Sequence, residues 1–167
     1  GDEAFASMLF TVLIGAAALC FPLIAVLARK MGKKVLMCIA LAAFFAAGIG
    51  FSVTGLLPVP AKAWMLGTAV VAAFPSAVLI IIPNVMLSEI SEEDTRRNGQ
   101  RREAMFFGTQ GFFMKLNLGV SGAVIAGLYS VFGKDIANPL GVRLTPLVGA
   151  VVALIGFILM LLYKEPV

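Results

Sequence analysis

Five long apolar runs constrain the fold of this chain more than any other feature. Crossing roughly 30 Å of hydrocarbon takes about 20 helical residues. The runs cover residues 4–28, 35–57, 64–87, 104–132 and 146–163. Of the 167 residues, 60% are hydrophobic and 13% are charged, which leaves too little polar surface for a soluble domain. The sequence therefore predicts an all-α, polytopic membrane helix bundle of about five transmembrane helices, with residues 1–167 as a single transmembrane domain.

The basic residues predict the sidedness of these helices. Four connections, residues 29–34, 58–63, 88–103 and 133–145, alternate between the two membrane faces. The first and third connections and the carboxyl end hold nine basic residues: Arg29, Lys30, Lys33, Lys34, Arg96, Arg97, Arg101, Arg102 and Lys164. The other side holds three: Lys62, Lys134 and Arg143. The positive-inside rule then places the amino end outside and the carboxyl end in the cytoplasm, in a plasma (cytoplasmic) membrane protein. An odd number of helices that begins outside leads us to expect further segments before residue 1.

The composition excludes several kinds of function. The net charge of +4 comes from basic residues in short connections, where they set topology, so no nucleic-acid partner is predicted. The chain has no histidine, so neither a His-ligated metal site nor a Ser-His-Asp or Cys-His catalytic centre can be built. Cys20 and Cys38 lie within predicted spans without motif spacing, and we interpret them as small packing residues. We expect no catalytic residues, no enzyme activity and no metal site.

Lys115 is the most informative polar residue, because it lies inside the fourth predicted span. It is about 11 residues, or roughly 16 Å, from the cytoplasmic start, a depth at which a lipid-facing lysine costs at least about 2.5 kcal/mol. Its helix face also carries four glycines, which allow neighbouring helices to approach: Gly108, Gly111, Gly119 and Gly122. We interpret Lys115 as a residue of substrate binding or ion coupling. The alternative is a lysine that snorkels to the interface or pairs structurally with a carboxylate.

Other polar and irregular positions surround this lysine in the sequence. Gln110, Asn117 and Ser121 form a second polar stripe on the fourth span, at spacings of 7 and 4 residues. Pro75 and Pro83 lie within the third span. A proline inside a helix frees a backbone carbonyl, which indicates either a binding site or hinge, as in transporters, or an ordinary membrane-helix proline.

Residues 88–103 carry both signs of charge at high density, which indicates either a solvated connection or an ion-pair latch on the cytoplasmic side. The stretch 83–115 resembles the glycoside-pentoside-hexuronide:cation symporters, the melibiose permease family of the major facilitator superfamily. That family has an acidic pair three apart, then Gly-x-Arg-x-Glu-Gly, an aromatic pair and a lysine well inside the next helix. The matching residues are Glu89, Glu92, Gly99, Arg101, Glu103, Phe106, Phe107 and Lys115. Glu89 and Glu92 stand where aspartates are usual, and Ala104 stands where glycine is frequent.

The basic connection 29–34 is also similar to the short loop between the second and third helices of each facilitator half. The resemblance implies that the five spans are helices 8 to 12 of a twelve-helix transporter, a partial carboxyl-terminal half. It implies cation-coupled symport of a sugar or related small solute by alternating access. The expected partners are the lipid bilayer, the small-molecule solute and the missing amino-terminal half.

The resemblance also assigns roles to particular residues. Substrate or cation binding is expected at Lys115, Gln110 and Asn117. Gating of the cytoplasmic loop is expected at Glu89, Glu92, Arg101 and Glu103. A coupling Na⁺ or H⁺ would be bound mainly by the missing half, and no other cofactor is implied.

Three other functions remain open at this stage. A lipid or lysolipid transporter of the same fold would use Lys115 to meet an anionic headgroup. A membrane-embedded enzyme would need clustered metal-binding carboxylates near the membrane face, and the candidates are Glu89, Glu92, Glu93 and Asp94. The last alternative is a purely structural or partner-binding membrane fragment.

Overall fold

The computed structural model describes residues 3–56, 58, 60–133 and 140–163. Its five α-helices are α1 (Glu3–Met31), α2 (Lys33–Ser52), α3 (Ala61–Asn98), α4 (Glu103–Phe132) and α5 (Leu140–Leu162). All five are long and apolar enough to cross a membrane. No β-strand occurs in the described ranges. The predicted all-α membrane architecture with five spanning helices is confirmed.

The end of α3 is the main departure from the predicted boundaries. The helix continues to Asn98, so the predicted connection between spans, residues 88–103, is helical for most of its length. The charged residues there are spaced to support a helix, since the side chains of Glu93 and Arg97 pair four residues apart at 2.7 Å. Gly99, with φ 68°, ends the helix in the left-handed conformation that favours glycine. Only residues 99–102 remain between α3 and α4.

Other helix ends differ from the predicted ones by a few residues. Gly32 alone separates α1 from α2, and its φ of 81° allows the chain to turn there. The basic connection 29–34 is therefore largely helical. α5 begins at Leu140 and contains Pro146, which had been predicted to start it. Lys134 and Lys164, two of the residues used in the topology prediction, lie outside the described residues.

The first of two compact units comprises Gly1–Ile80 and Arg143–Glu165. Small side chains dominate its interior, and small residues let helix backbones approach closely where no hydrophobic force acts between helices in lipid. The buried alanines are Ala17, Ala40, Ala47, Ala69, Ala72, Ala73, Ala77, Ala150 and Ala153. Larger fully buried side chains in this unit are those of Ile24, Leu36, Pro75 and Val78.

Within this unit, α2 packs antiparallel on α5. At one end of the pair, Ser52 Oγ donates a 3.0 Å hydrogen bond to the carbonyl of Arg143. At the other end, Lys34 Nζ donates to the carbonyl of Leu161 in the last turn of α5, at 3.1 Å, and to that of Tyr163, the residue after the helix. The helices are closest near Gly48, where an added Cβ would lie 2.8 Å from the Cβ of Ala150.

The same unit joins α3 to α2 and to α1. Trp64 Nε1 donates a 2.8 Å hydrogen bond to the carbonyl of Gly50, near the end of α2. Lys62 Nζ lies 5.5 Å from the ring centroid of Phe5, near the start of α1. The first residues of α1 and α3 and the last residues of α2 therefore lie at one end of this unit. Helices that cross a membrane one after another must alternate in direction, and the arrangement of these helix ends agrees with that requirement.

The second unit comprises Ile81–Val142 and Pro166–Val167. Its described part contains the carboxyl-terminal part of α3, all of α4 and the first residues of α5. The start of α5 packs tightly on the end of α4, because a Cβ at Gly141 would collide with the carbonyl oxygen of Gly133. α4 contains no buried residue.

Candidate functional site

Lys115 lies twelve residues into the 30-residue helix α4, or roughly 18 Å along its axis. Its side chain is exposed, and no hydrogen bond or ion pair joins it to another described residue. The glycines of its face are equally open, since an added Cβ at any of them meets nothing within 4 Å: Gly108, Gly111, Gly119 and Gly122. This part of α4 is an open face of small residues with one unpaired cation.

Gln110 is the predicted site residue with a partner on another helix. Its Nε2 donates a 3.1 Å hydrogen bond to Oδ1 of Asn84 on α3. Sequence reasoning assigned no role to Asn84, although it directly follows Pro83 within an apolar run. The two amides retain polar atoms that can bond to a hydroxyl-bearing ligand.

Asn117 is exposed and has no hydrogen bond to another described residue. Seven residues separate it from Gln110, so the two share a face of α4, whereas it lies about 160° around the helix from Lys115. The three predicted binding residues thus divide between two faces of one helix. A single ligand could contact all three side chains only by extending around α4.

The two prolines of the third predicted span do not interrupt α3, which is helical from Ala61 to Asn98. Pro75 is fully buried, within the first unit. Each proline lacks the N–H that would bond to the carbonyl four residues earlier. These positions lower the number of backbone hydrogen bonds without ending the helix.

The four predicted gating residues lie around the turn from α3 to α4. Glu89 and Glu92 are on α3, Arg101 is in the short connection, and Glu103 is the first residue of α4. Three of them line a cavity of about 340 Å³, together with residues that sequence reasoning had not singled out as site residues. The full lining is Ser91, Glu92, Thr95, Arg96, Arg101 and Glu103. Glu89 is exposed and does not line the cavity.

The carboxylates near this turn do not form a metal centre. Among the described residues, no group of three or more Cys, Asp or Glu side chains is arranged to hold a metal ion. Cys20 and Cys38 are both free thiols, each partly buried within its helix.

Five apolar spanning helices, with isolated polar side chains on α4 and charges gathered near the helix ends, define a multi-pass integral membrane protein. A model of the MFS/sugar transport protein family matches residues 1–165. The chain therefore belongs to this family, and it is a major facilitator superfamily protein. Comparisons with curated proteins and with solved structures gave no match.

Family membership agrees with the superfamily that the 83–115 stretch indicated. The family is one of transporters, and its members act on small solutes in a lipid bilayer. The narrower resemblance to the melibiose permease family, the solute and the coupling ion stay predictions.

Proposed function

We propose that this chain forms part of a cation-coupled symporter that moves a sugar or a related small solute by alternating access. The observation that carries the proposal is the unpaired Lys115 on the open glycine face of α4. A lysine at this depth is costly in lipid, by about 2.5–3.5 kcal/mol or more, so it needs a partner. No described residue supplies one.

The partner of Lys115 is then a solute, a carboxylate that also binds the coupling ion, or a helix of another transporter half. Small residues on the same face favour a close helix approach. In this proposal the chain corresponds to helices 8 to 12, and an amino-terminal half packs against α4 and binds most of the coupling Na⁺ or H⁺. That half is inferred from the resemblance and from the open face of α4.

The amide pair of Gln110 and Asn84 is the second element of the proposed site. Amides offer both donors and acceptors, which suits the hydroxyl groups of a sugar. Asn117 lies on the same face of α4 as Gln110 and would extend this polar track. Lys115 lies on the opposite face. Its role is then in ion coupling or in the contact between the two transporter halves, more than in binding the hydroxyl groups of the solute.

We further propose that the protein lies in the plasma membrane, with the ends of α1 and α3 in the cytoplasm. The support is the excess of basic residues near those ends. Among them, Arg29 and Lys30 lie in the last turn of α1, and Arg96 and Arg97 lie in the last turn of α3.

The test of the solute proposal uses the full-length protein in liposomes with an imposed Na⁺ or H⁺ gradient. Uptake of a panel of radiolabelled glycosides and of a radiolabelled lysolipid is compared for wild type, Lys115→Ala, Lys115→Arg and the control Lys30→Ala. We expect Lys115→Ala to lower gradient-driven uptake at least tenfold at equal protein content. Lys115→Arg should restore only part of it, because a planar guanidinium does not reproduce an ammonium.

Lys30 is a suitable control because it is a lysine without a partner among the described residues, at the end of α1. Uptake of lysolipid instead of any glycoside would assign the alternative cargo and overturn the sugar proposal. Unchanged uptake, solute affinity and ion dependence in Lys115→Ala would remove Lys115 from the site.

A further inference from the structure

The cavity at the turn from α3 to α4 carries two charges of each sign. Arg96 and Arg101 supply the positive charges, and Glu92 and Glu103 supply the negative ones. All four side chains are exposed, and none forms an ion pair or a hydrogen bond with another described residue. A volume of about 340 Å³ is within the range of small-ligand sites, roughly 300–1,000 Å³.

The neighbouring charged side chains are engaged elsewhere. Arg97 Nε lies 2.7 Å from Glu93 Oε1, and Arg102 donates a 3.0 Å hydrogen bond to the side chain of Gln100. Neither arginine lines the cavity. The sequence therefore contains two arginines that face the cavity and two adjacent arginines that do not, a natural set of test and control positions.

Two hydroxyl groups complete the lining and favour a cationic group beside the carboxylates. Thr95 Oγ1 donates a 2.9 Å hydrogen bond to the carbonyl of Ser91, and Ser91 Oγ donates at 2.8 Å to the carbonyl of Ser88. Because their protons are used within the helix, both oxygens are left as acceptors. In this arrangement both oxygens can accept a hydrogen bond from an ammonium.

With the hydrocarbon edge at Leu87, the end of the cavity formed by Ser91 and Glu92 falls at the depth of lipid headgroups. The apolar part of α3 ends at about Leu87, and the lining residues of this helix follow four to nine residues later. At 1.5 Å per residue they extend roughly 6–14 Å beyond the hydrocarbon edge. Headgroups occupy about the first 5–8 Å of that distance on each side of a bilayer. The long side chain of Arg96 can extend back towards them.

We propose that this cavity binds a phosphoethanolamine group, carried by a membrane lipid. The two guanidinium groups of Arg96 and Arg101 bind the phosphate, for which their planar forks are suited. The carboxylates of Glu92 and Glu103 accept hydrogen bonds from the primary ammonium. A purely anionic headgroup would leave both carboxylates unpaired and repelled. A quaternary ammonium has no N–H to donate.

The binding test measures lipid adducts on the delipidated full-length protein in detergent by native mass spectrometry. Phosphatidylethanolamine, phosphatidylcholine and phosphatidylglycerol with identical acyl chains are titrated separately. We expect the ethanolamine lipid to bind at least tenfold more tightly than the other two. Arg96→Gln/Arg101→Gln should lower its affinity at least tenfold, while the control Arg97→Gln/Arg102→Gln should stay within twofold of wild type.

Two further arms separate the parts of the proposal. Glu92→Gln/Glu103→Gln should abolish the preference for ethanolamine over glycerol headgroups while retaining binding of the phosphate-bearing lipid. Water-soluble O-phosphoethanolamine should compete only weakly, and competition as strong as that of the lipid would assign a soluble ligand and overturn the lipid source. If the double arginine variant does not fold, the single variants Arg96→Gln and Arg101→Gln should each lower affinity about threefold.

Equal binding of the three lipids would overturn the site, as would an equal loss in the control pair. This binding experiment involves no solute and no ion gradient. Its failure is therefore separate from any failure of the symport proposal, and Lys115→Ala should leave lipid binding unchanged.

Discussion

Gln110 on α4 donates a 3.1 Å hydrogen bond from Nε2 to Oδ1 of Asn84 on α3, a side chain that directly follows Pro83. The contact joins two helices across 26 positions of sequence and places an amide pair within the membrane-spanning part of the second unit. Polar contacts of this kind between membrane helices contribute about 0.6 kcal/mol on average and up to about 1.7 kcal/mol.

A double-mutant cycle should detect this contact in the full-length protein. We expect Asn84→Ala and Gln110→Ala each to lower the free energy of unfolding, with a coupling energy of about 0.5–1.5 kcal/mol between them. Asn84→Ala should cost more than Gln110→Ala, because Asn84 has a further polar interaction. Thermal or denaturant unfolding in detergent gives both quantities.

Asn117 supplies the control for this cycle, since it has no hydrogen bond to a described residue. The pair Asn84→Ala and Asn117→Ala should be additive within about 0.3–0.5 kcal/mol. Additivity of the Asn84 and Gln110 variants as well would mean that the hydrogen bond contributes nothing to stability.

Gly48 should be the least replaceable glycine of α2. An alanine Cβ there would lie 2.8 Å from the Cβ of Ala150 and 3.0 Å from the carbonyl oxygen of Pro146, so α2 and α5 would have to separate. Overpacking costs about 1–3 kcal/mol, against a gain of up to about 1 kcal/mol in helix propensity. We expect Gly48→Ala to lower the free energy of unfolding by about 1–2 kcal/mol.

Gly149 on α5 is the matched control for this substitution, because nothing lies within 4 Å of its added Cβ. Gly149→Ala should be neutral or slightly stabilising in the same unfolding assay. Ala150→Gly should restore part of the stability lost in Gly48→Ala, and no rescue by this second change would argue against the close approach of α2 and α5.

Lys34 should stabilise the end of α5. Its Nζ donates to the carbonyls of Leu161 and Tyr163, which no residue within the helix can satisfy, and a cation at a helix carboxyl terminus is also favourable. We expect Lys34→Met to lower the free energy of unfolding by about 1 kcal/mol. Hydrogen exchange at the last turn of α5 should rise with it.

Lys30→Met serves as the control, because it removes a similar charge from an exposed side chain that has no partner among the described residues. It should change neither the unfolding free energy nor exchange in α5 measurably. Equal effects of the two variants would mean that Lys34 acts only through its charge and that its hydrogen bonds to the end of α5 contribute nothing.

Much of the architecture follows from hydrophobicity alone, as the spans of α1 and α4 illustrate. The prediction for α4, residues 104–132, differs from Glu103–Phe132 by a single residue, because charged residues bound one end of the run and Gly133 follows the other. The extension of α3 to Asn98 was not predicted. Hydropathy marks where a helix leaves the membrane and gives no sign that helix-favouring Glu and Arg side chains continue it through water.

The candidate site was predicted only in part, for a similar reason. Lys115 and Gln110 are polar residues in an apolar run, and such residues are visible in one sequence. The contact between Gln110 and Asn84 depends on the register of α4 against α3, which local spacing does not determine. The cavity that contains Arg96 depends on how the chain turns at Gly99, and no single-sequence pattern gives that geometry.

The proposed topology leads to a labelling prediction whose positions the structure refines. Gly32 lies at the turn between α1 and α2, yet its φ of 81° would strain a cysteine there. Met31 is exposed and belongs to the same turn, so Met31→Cys is the better position. Asn98→Cys marks the end of α3, and Pro60→Cys, also exposed, marks the opposite side just before α3 begins.

The experiment uses the full-length protein with Cys20, Cys38 and every cysteine outside residues 1–167 replaced by alanine, since Cys20 and Cys38 are free and only partly buried. In intact cells, an impermeant maleimide should label Pro60→Cys and leave Met31→Cys and Asn98→Cys unlabelled. Permeabilising the cells should then expose both of the latter. The reason is the excess of arginine and lysine beside Met31 and Asn98, which places these ends in the cytoplasm in the proposed topology. Labelling of Met31→Cys and Asn98→Cys from outside, with Pro60→Cys protected, would invert the proposed topology and place the mixed-charge cavity at the outer face of the membrane.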